Sequence, residues 1–238
     1  MKKLLILKAG STFPSIKKEY GDFEDFITRQ LEIDSTDVIV NNAVIGEPLP
    51  SFNSISGIII TGSHSMVSDR EEWSENLAEW LKKLSGTNIP TLGICYGHQL
   101  LAHAFGGSVD YHPGGKEFGL VDINLTGSGK EDKLLSVLGN NFTGYAAHSQ
   151  SVLKLPADAV LLAENDFETH HAFSIGENIW GVQFHPEFNA GITRMYINEL
   201  KDELLKENIN PLQLINSITD SPTGKLLLKR FYELAQKA

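Results

Sequence analysis

A single cysteine occurs in 238 residues, so no internal disulfide forms, and a reducing compartment, the cytoplasm, is the expected setting. Basic residues are also scarce: twenty Lys and Arg against thirty Asp and Glu leave a formal net charge of −10. No basic cluster offsets that balance, which argues against phosphate-backbone binding and a nucleic-acid partner. No apolar run approaches the ~20 residues that span a bilayer, so no membrane partner is expected. The run Leu4-Leu5-Ile6-Leu7 breaks at Lys8 and Gly10, too early for a signal peptide, and reads as a buried first strand. The phosphate loop G-x-x-x-x-G-K-S/T is missing. Gly127-Ser128-Gly129-Lys130-Glu131 lacks its first glycine and its hydroxyl residue, and Gly224-Lys225-Leu226 fits worse. There is no dinucleotide G-x-G-x-x-G. The histidines show neither H-E-x-x-H nor Cys/His ligand spacing, so metal hydrolysis is disfavoured and neither metal nor cofactor is called for.

What is present is a hydrophobic content of 41%, enough for one substantial core. Strand-like and helix-like runs alternate. Residues 3–9, 37–44, 57–61 and 90–95 read as strands, and 22–33, 71–84 and 97–105 as helices with apolar stripes. Trp73 and Trp80 fall on the stripe of the second helix and read as core. From residue 108 to 179 the texture changes to short β runs such as 121–125, 144–147 and 160–163, which suit antiparallel strands along one edge. The segment 188–206 reads as helical. These patterns predict an α/β fold of three layers: a mostly parallel sheet, helices on both faces, and antiparallel edge strands. Residues 1–206 form the expected domain, and 207–238 a C-terminal helical appendage packed on it.

The lone cysteine stands in Gly93-Ile94-Cys95-Tyr96-Gly97-His98-Gln99, between two glycines where a strand should turn into a helix. A G-x-C-x-G corner is the thiol form of a nucleophile elbow, which lifts the middle side chain out of the sheet. The helix N-terminus then favours thiolate over thiol. Packing is the ordinary explanation of a lone cysteine in an apolar run. Far downstream, Trp180-Gly181-Val182-Gln183-Phe184-His185-Pro186-Glu187 ends in His-x-Glu. Thiol catalysis needs a proton-shuttling base, and the base needs an acceptor that fixes its tautomer. In an extended chain Glu187 projects on the same side as His185, and Pro186 stiffens the corner between them. A satisfied core histidine and a helix N-terminal acid would explain the two residues singly. Neither explains their company with a cysteine elbow.

G-I-C-Y-G-H-Q followed by G-V-Q-F-H-P-E resembles the class I (triad) glutamine amidotransferases over most of residues 1–200. Asp69, Trp73, Glu117-Phe118-Gly119 and the long C-terminal tail resemble the stand-alone, GMP synthase-like branch. The resemblance implies a flavodoxin-like fold, with Cys95 as nucleophile, His185 as base and Glu187 as the acid that orients it. An elbow supplies one oxyanion donor from the N–H after the nucleophile, here Tyr96, and the second should come from Gly62 after the 57–61 strand. The resemblance places Gln99 and the His148-Ser149-Gln150 backbone on the substrate, while a capping role for Gln99 stays open. His64 borders the site loop as a hydrogen-bonding wall for a leaving group. His98, His103, His112, His170 and His171 read as solvated or structural. Two departures concern substrate identity: Gly62-Ser63-His64 replaces the family's Gly-Gly-Pro, and Ser149-Gln150 replaces its Gly-Asp.

The implied substrate is a small molecule, glutamine or a γ-glutamyl compound. An amide-forming synthetase would need an activation domain that these motifs do not supply. One enzyme reading is therefore an ammonia-supplying subunit working with a synthetase partner. The other is a free-standing γ-glutamyl hydrolase acting on a peptide, amine or thiol conjugate. A triad-bearing domain used only for binding or regulation is the non-enzyme alternative.

Overall fold

The computed structural model describes residues 2–237. Its first half alternates strands and helices: β1 (Lys3–Lys8), α1 (Pro14–Tyr20), α2 (Phe23–Leu31), β2 (Val38–Asn42), β3 (Ile55–Ile60), α3 (Glu72–Lys82), β4 (Thr91–Ile94) and α4 (Tyr96–Ala104). The middle is largely β: β5 (Ser108–Tyr111), β6 (Glu117–Leu125), the short α5 (Gly127–Glu131), β7 (Asn141–His148), β8 (Gln150–Lys154), β9 (Ala159–Glu164), β10 (Ala172–Ile175) and β11 (Ile179–Val182). Four helices close the chain: α6 (Ala190–Glu199), α7 (Lys201–Lys206), α8 (Pro211–Ser217) and α9 (Thr223–Gln236).

Nine strands form the central sheet in the order β2-β1-β3-β4-β11-β10-β9-β6-β7, and β5 pairs with β8 in a separate ribbon. From β2 to β11 every pairing is parallel; from β11 to β7 every pairing is antiparallel. The alternation of strand side chains divides the core. Leu4, Ile6, Ile59, Leu92 and Trp180 face one side, where Ile27 and Leu31 of α2 and Leu227, Leu228 and Phe231 of α9 cover them. Leu5, Leu7, Ile58 and Ile60 face the other, under Leu77 and Leu81 of α3 and Leu100 and Leu101 of α4. Parallel strands buried on both faces need near-continuous apolar runs, which is why β1 and β3 read as they do. The result is the mostly parallel α/β sheet with antiparallel edge strands that the sequence predicts.

Some boundaries differ from the sequence reading. The strand expected over 37–44 stops at Asn42, whose side chain caps a single turn at Ala43–Ile45 by accepting Val44 N–H. The helical 188–206 segment divides at Leu200 into α6 and α7, with Asn189 capping the first through Ile192 N–H. Helix α1 has no counterpart in the sequence reading. It has one fully buried apolar side chain, Ile16, and so leaves no stripe to detect.

Helix α9 also approaches the His185 corner. A Cβ built on Gly224 would lie 2.0 Å from Pro186 O. Helix propensity alone would make Gly224→Ala stabilising by about 1 kcal/mol. The backbone collision reverses the sign, and a loss of about 2 kcal/mol or more is expected from forced repacking. Thermal unfolding checks this; an unchanged or raised midpoint would contradict the close approach.

Candidate active site

Three neighbouring parallel strands deliver the central residues to one edge. Gly62 follows the end of β3, Cys95 follows β4, and Gln183 to Glu187 follow β11. The register pairs Ile94 with Val182, and Cys95 N–H then bonds Val182 O at 2.9 Å, so the cysteine leaves the sheet level with the histidine segment. The carboxyl edge of such a sheet is where open α/β folds place ligands.

Cys95 has φ 50° and ψ −100°. Glu32 and Arg70, also at positive φ, have the ψ of an ordinary left-handed turn. Cys95 does not, and such a conformation costs of order 1–3 kcal/mol. Both motif glycines are required by close approach. A Cβ on Gly93 would lie 2.4 Å from the Gly97 carbonyl, and one on Gly97 would lie 2.5 Å from Ile60 O. Helix α4 therefore presses onto β3 and β4, and its first-turn N–H groups, which lack intrahelical partners, sit beside the sulfur.

His185 Nδ1 lies 2.7 Å from Glu187 Oε1. The backbone fixes the ring from behind, since His185 N–H bonds Tyr145 O at 2.7 Å. Phe188 stacks on the imidazole with centroids 4.1 Å apart and planes 16° from parallel. His185 and Glu187 are both buried, and Glu187 Oε2 has no hydrogen-bond partner among the described residues. The carboxylate charge therefore acts on the imidazole undivided. Burial is the largest effect on His185 and opposes its charged form. Glu187 and then Cys95 outweigh it, pushing the imidazole up to about 10. The arrangement favours the charged form of the His185 ring.

A Cβ on Gly62 would lie 3.1 Å from His185 Cε1, which places that loop directly against the ring. Tyr96 turns its side chain away, bonding Ser74 Oγ at 2.6 Å and stacking on Trp73, and burial pushes its phenol up to about 12. Its main-chain N–H remains at the start of α4, next to Cys95. A cleft of about 330 Å³ opens beside Cys95 and Tyr96. Its wall also includes Gln99, His148, Ser149, Gln150 and His64, whereas Gly62, His185 and Glu187 are not part of the lining. Gln99 is not a cap: its Nε2 donates to Gln150 O at 2.7 Å and to Gln183 Oε1 at 3.0 Å.

His64 differs in detail from the expected hydrogen-bonding wall. Its ring packs against Phe13 at 4.3 Å and Tyr196 at 6.0 Å between centroids. Burial, followed by the charge of His185, pushes it below its ordinary value and keeps it neutral. Phe13, Phe118, Tyr196 and Leu200 give the same cleft an apolar wall that the sequence reading does not contain. Lys116, bonded to Glu203 at 2.9 Å and Glu207 at 3.2 Å, crosses its rim. These walls come from the β1–α1 loop, β6 and α6–α7, and no local motif joins them. The remaining histidines are internal or paired: His98 and His171 are fully buried, and His103 contacts Glu75 at 2.9 Å. Among the described residues no group of His, Cys, Asp and Glu could hold a metal ion, and no helix is long and apolar enough to cross a membrane.

Residues 20–203 match the sequence model of the family described as Glutamine amidotransferase class-I. Gamma-glutamyl peptidase 4 of Arabidopsis thaliana is 31% identical over 202 residues, covering 80% of this chain and 78% of the relative. One subunit of the glutamine-hydrolyzing GMP synthase of Methanococcoides burtonii is 33% identical over 175 residues, covering 71% of this chain and 83% of the relative. A glutamine amidotransferase from Thermotoga maritima has the same fold, with a TM-score of 0.79 at 20% identity and full coverage of both chains. A second, from Methylobacillus flagellatus, gives 0.75 at 20% identity over 98% of this chain and 95% of that one.

Proposed function

This chain belongs to the glutamine amidotransferase class-I family, and within it we propose a free-standing hydrolase of γ-glutamyl amide bonds, with glutamine as the smallest substrate. The Cys95 thiolate attacks the γ-carbonyl carbon, and the Gly62 and Tyr96 N–H groups receive the oxyanion. As the C–N bond breaks, His185 gives its proton to the leaving nitrogen, and a γ-glutamyl thioester remains. His185, now neutral, takes a proton from water as the hydroxyl adds to the thioester carbonyl. Collapse breaks the C–S bond, releases glutamate and regenerates the thiolate beside imidazolium. Glu187 holds the ring in one tautomer throughout. Gln99 and the His148-Ser149-Gln150 segment hold the α-amino end of the substrate.

The observation that carries this reading is the cleft's aromatic wall. Ammonia needs no pocket, yet Phe13, His64, Phe118 and Tyr196 line the same cleft as Cys95. Similarity to a γ-glutamyl peptidase across four-fifths of the chain supports it further. The second reading, an ammonia-supplying subunit with a synthetase partner, is favoured by similarity to the GMP synthase subunit over 83% of that relative.

A substrate panel separates them. The isolated protein is expected to cleave at least one γ-glutamyl amine, peptide or thioether conjugate with kcat/KM roughly tenfold above glutamine, as filling an apolar subsite with one or two methylenes allows. His64→Ala should lower that conjugate rate several-fold more than the glutamine rate. If glutamine is best throughout and activity appears only on adding a synthetase, the subunit reading replaces this one.

A further inference from the structure

We propose that Glu117 is a positioning residue for the γ-glutamyl end of the substrate, acting through His148 and the Gln150 carbonyl on the Gln99 amide; this rests on reading the cleft as a γ-glutamyl amide site. Glu117 and His148 are cross-strand partners at the mouth of the β6–β7 pair. Both are buried, and Glu117 Oε2 lies 3.0 Å from His148 Nε2. The other carboxylate oxygen accepts Asn165 Nδ2 at 2.8 Å, and His171 Nε2 stands 3.2 Å from Oε2 without hydrogen-bond geometry. Three buried side chains, Glu117, His148 and His171, thus meet beside the half-buried Asn165. Such a cluster is costly to bury unless its members are paired.

The bonding then fixes a direction. His148 Nδ1 lies 3.1 Å from Gln150 O, an atom that only accepts, so Nδ1 carries a proton. A second proton lies between Nε2 and Oε2, whichever atom holds it, because neither a bare imidazole nitrogen nor a bare carboxylate can bond the other. Burial pushes Glu117 up, but the His148 and His171 contacts outweigh it and hold the carboxyl well below its ordinary range. Glu117 therefore acts as the anchoring acceptor.

Gln150 O receives two donors, His148 Nδ1 and Gln99 Nε2 at 2.7 Å. The second hydrogen of Gln99 Nε2 goes to Gln183 Oε1 at 3.0 Å. Both amide hydrogens are spent inside the protein, and a flipped amide would set oxygen against the Gln150 oxygen. Gln99 Oε1 is consequently turned to the cleft as a fixed acceptor, suited to the α-ammonium of a γ-glutamyl group. Each link depends on the one behind it, and the last buried anchor is Glu117.

The test compares Glu117→Ala with Glu117→Gln. Alanine breaks the chain of bonds, and KM for glutamine or the best conjugate should rise roughly ten- to hundredfold, the weight of one hydrogen bond to a charged group. The change in kcat should stay within about threefold, since Cys95 and His185 are untouched. Glutamine retains an oxygen for Asn165 and an N–H for His148 Nε2, so it should restore most of the KM. Iodoacetamide, which needs only the thiolate, should alkylate Cys95 at the wild-type rate in both variants. A glutamine-mimicking diazo-ketone should label Glu117→Ala more slowly, in the ratio of the KM values. Where Glu117→Ala does not fold, Gln99→Met removes the terminal acceptor and should raise KM alone by a similar factor. An unchanged KM in Glu117→Ala or in Gln99→Met overturns the proposal, and so does a Glu117→Gln variant with a KM as high as that of Glu117→Ala. So does a fall in kcat and iodoacetamide rate together, which marks a merely structural role. If the wild-type thiol reacts with iodoacetamide no faster than a free cysteine and no γ-glutamyl substrate is cleaved, the site reading itself has failed.

Discussion

Cys95→Ser is expected to remove γ-glutamyl hydrolysis, by at least about 10³-fold in kcat, while the protein stays folded. The fold should survive because the strained corner is built by its neighbours. Gly93 and Gly97 allow α4 to press on β3 and β4, and the Cys95 N–H bond to Val182 O does not involve the side chain. Serine fits the same space. The chemistry should not survive, because the proton inventory suits a thiol. Glu187 and the sulfur together hold His185 well above its ordinary value, so the ring is charged before substrate arrives. A thiolate beside imidazolium attacks directly, whereas a hydroxyl needs a neutral ring to take its proton. Steady-state turnover and diazo-ketone labelling, with a thermal midpoint as the folding control, check the outcome. Near wild-type turnover in the serine variant would remove Cys95 from the mechanism.

That centre was legible in the sequence because each half is local. G-x-C-x-G puts a strand, a turn and a helix start within five residues, and Phe184-His185-Pro186-Glu187 carries the proposed base and its acceptor two positions apart. The parallel half of the sheet was legible for a similar reason, since strands covered on both faces must be apolar nearly throughout. The apolar wall of the cleft was not. Phe13, the Lys116–Phe118 pair and Tyr196 come from three distant stretches of sequence and meet only after α6 and α7 fold across the β6 end. No periodicity marks such a meeting. Glu117 illustrates the same limit. It stands out in sequence only within Glu117-Phe118-Gly119, and its partners, the buried His148 and His171 and the half-buried Asn165, lie on other strands and loops. His64 lines the cleft, but two aromatic rings pack on it where the sequence leads one to expect a hydrogen-bonding wall.

His185 and Glu187 should fail as one unit with unequal weight. His185→Ala removes proton transfer in both half-reactions, and a loss of roughly 10²–10⁴-fold in kcat is expected. Glu187→Gln keeps an oxygen for Nδ1–H at the same place but withdraws the charge. That charge is the main counterweight to burying an imidazolium. Without it the ring loses part of its proton affinity, the thiolate loses its counterion, and roughly tenfold to a few hundredfold should be lost, less than for the alanine variant. The double variant should lose little more than His185→Ala alone, because an acid with no imidazole to orient has nothing left to contribute. Single-turnover acylation rates for the four proteins give the coupling directly. Losses that multiply fully would mean that Glu187 acts on the reaction by a route other than His185, and the 2.7 Å bond between them would then be structural.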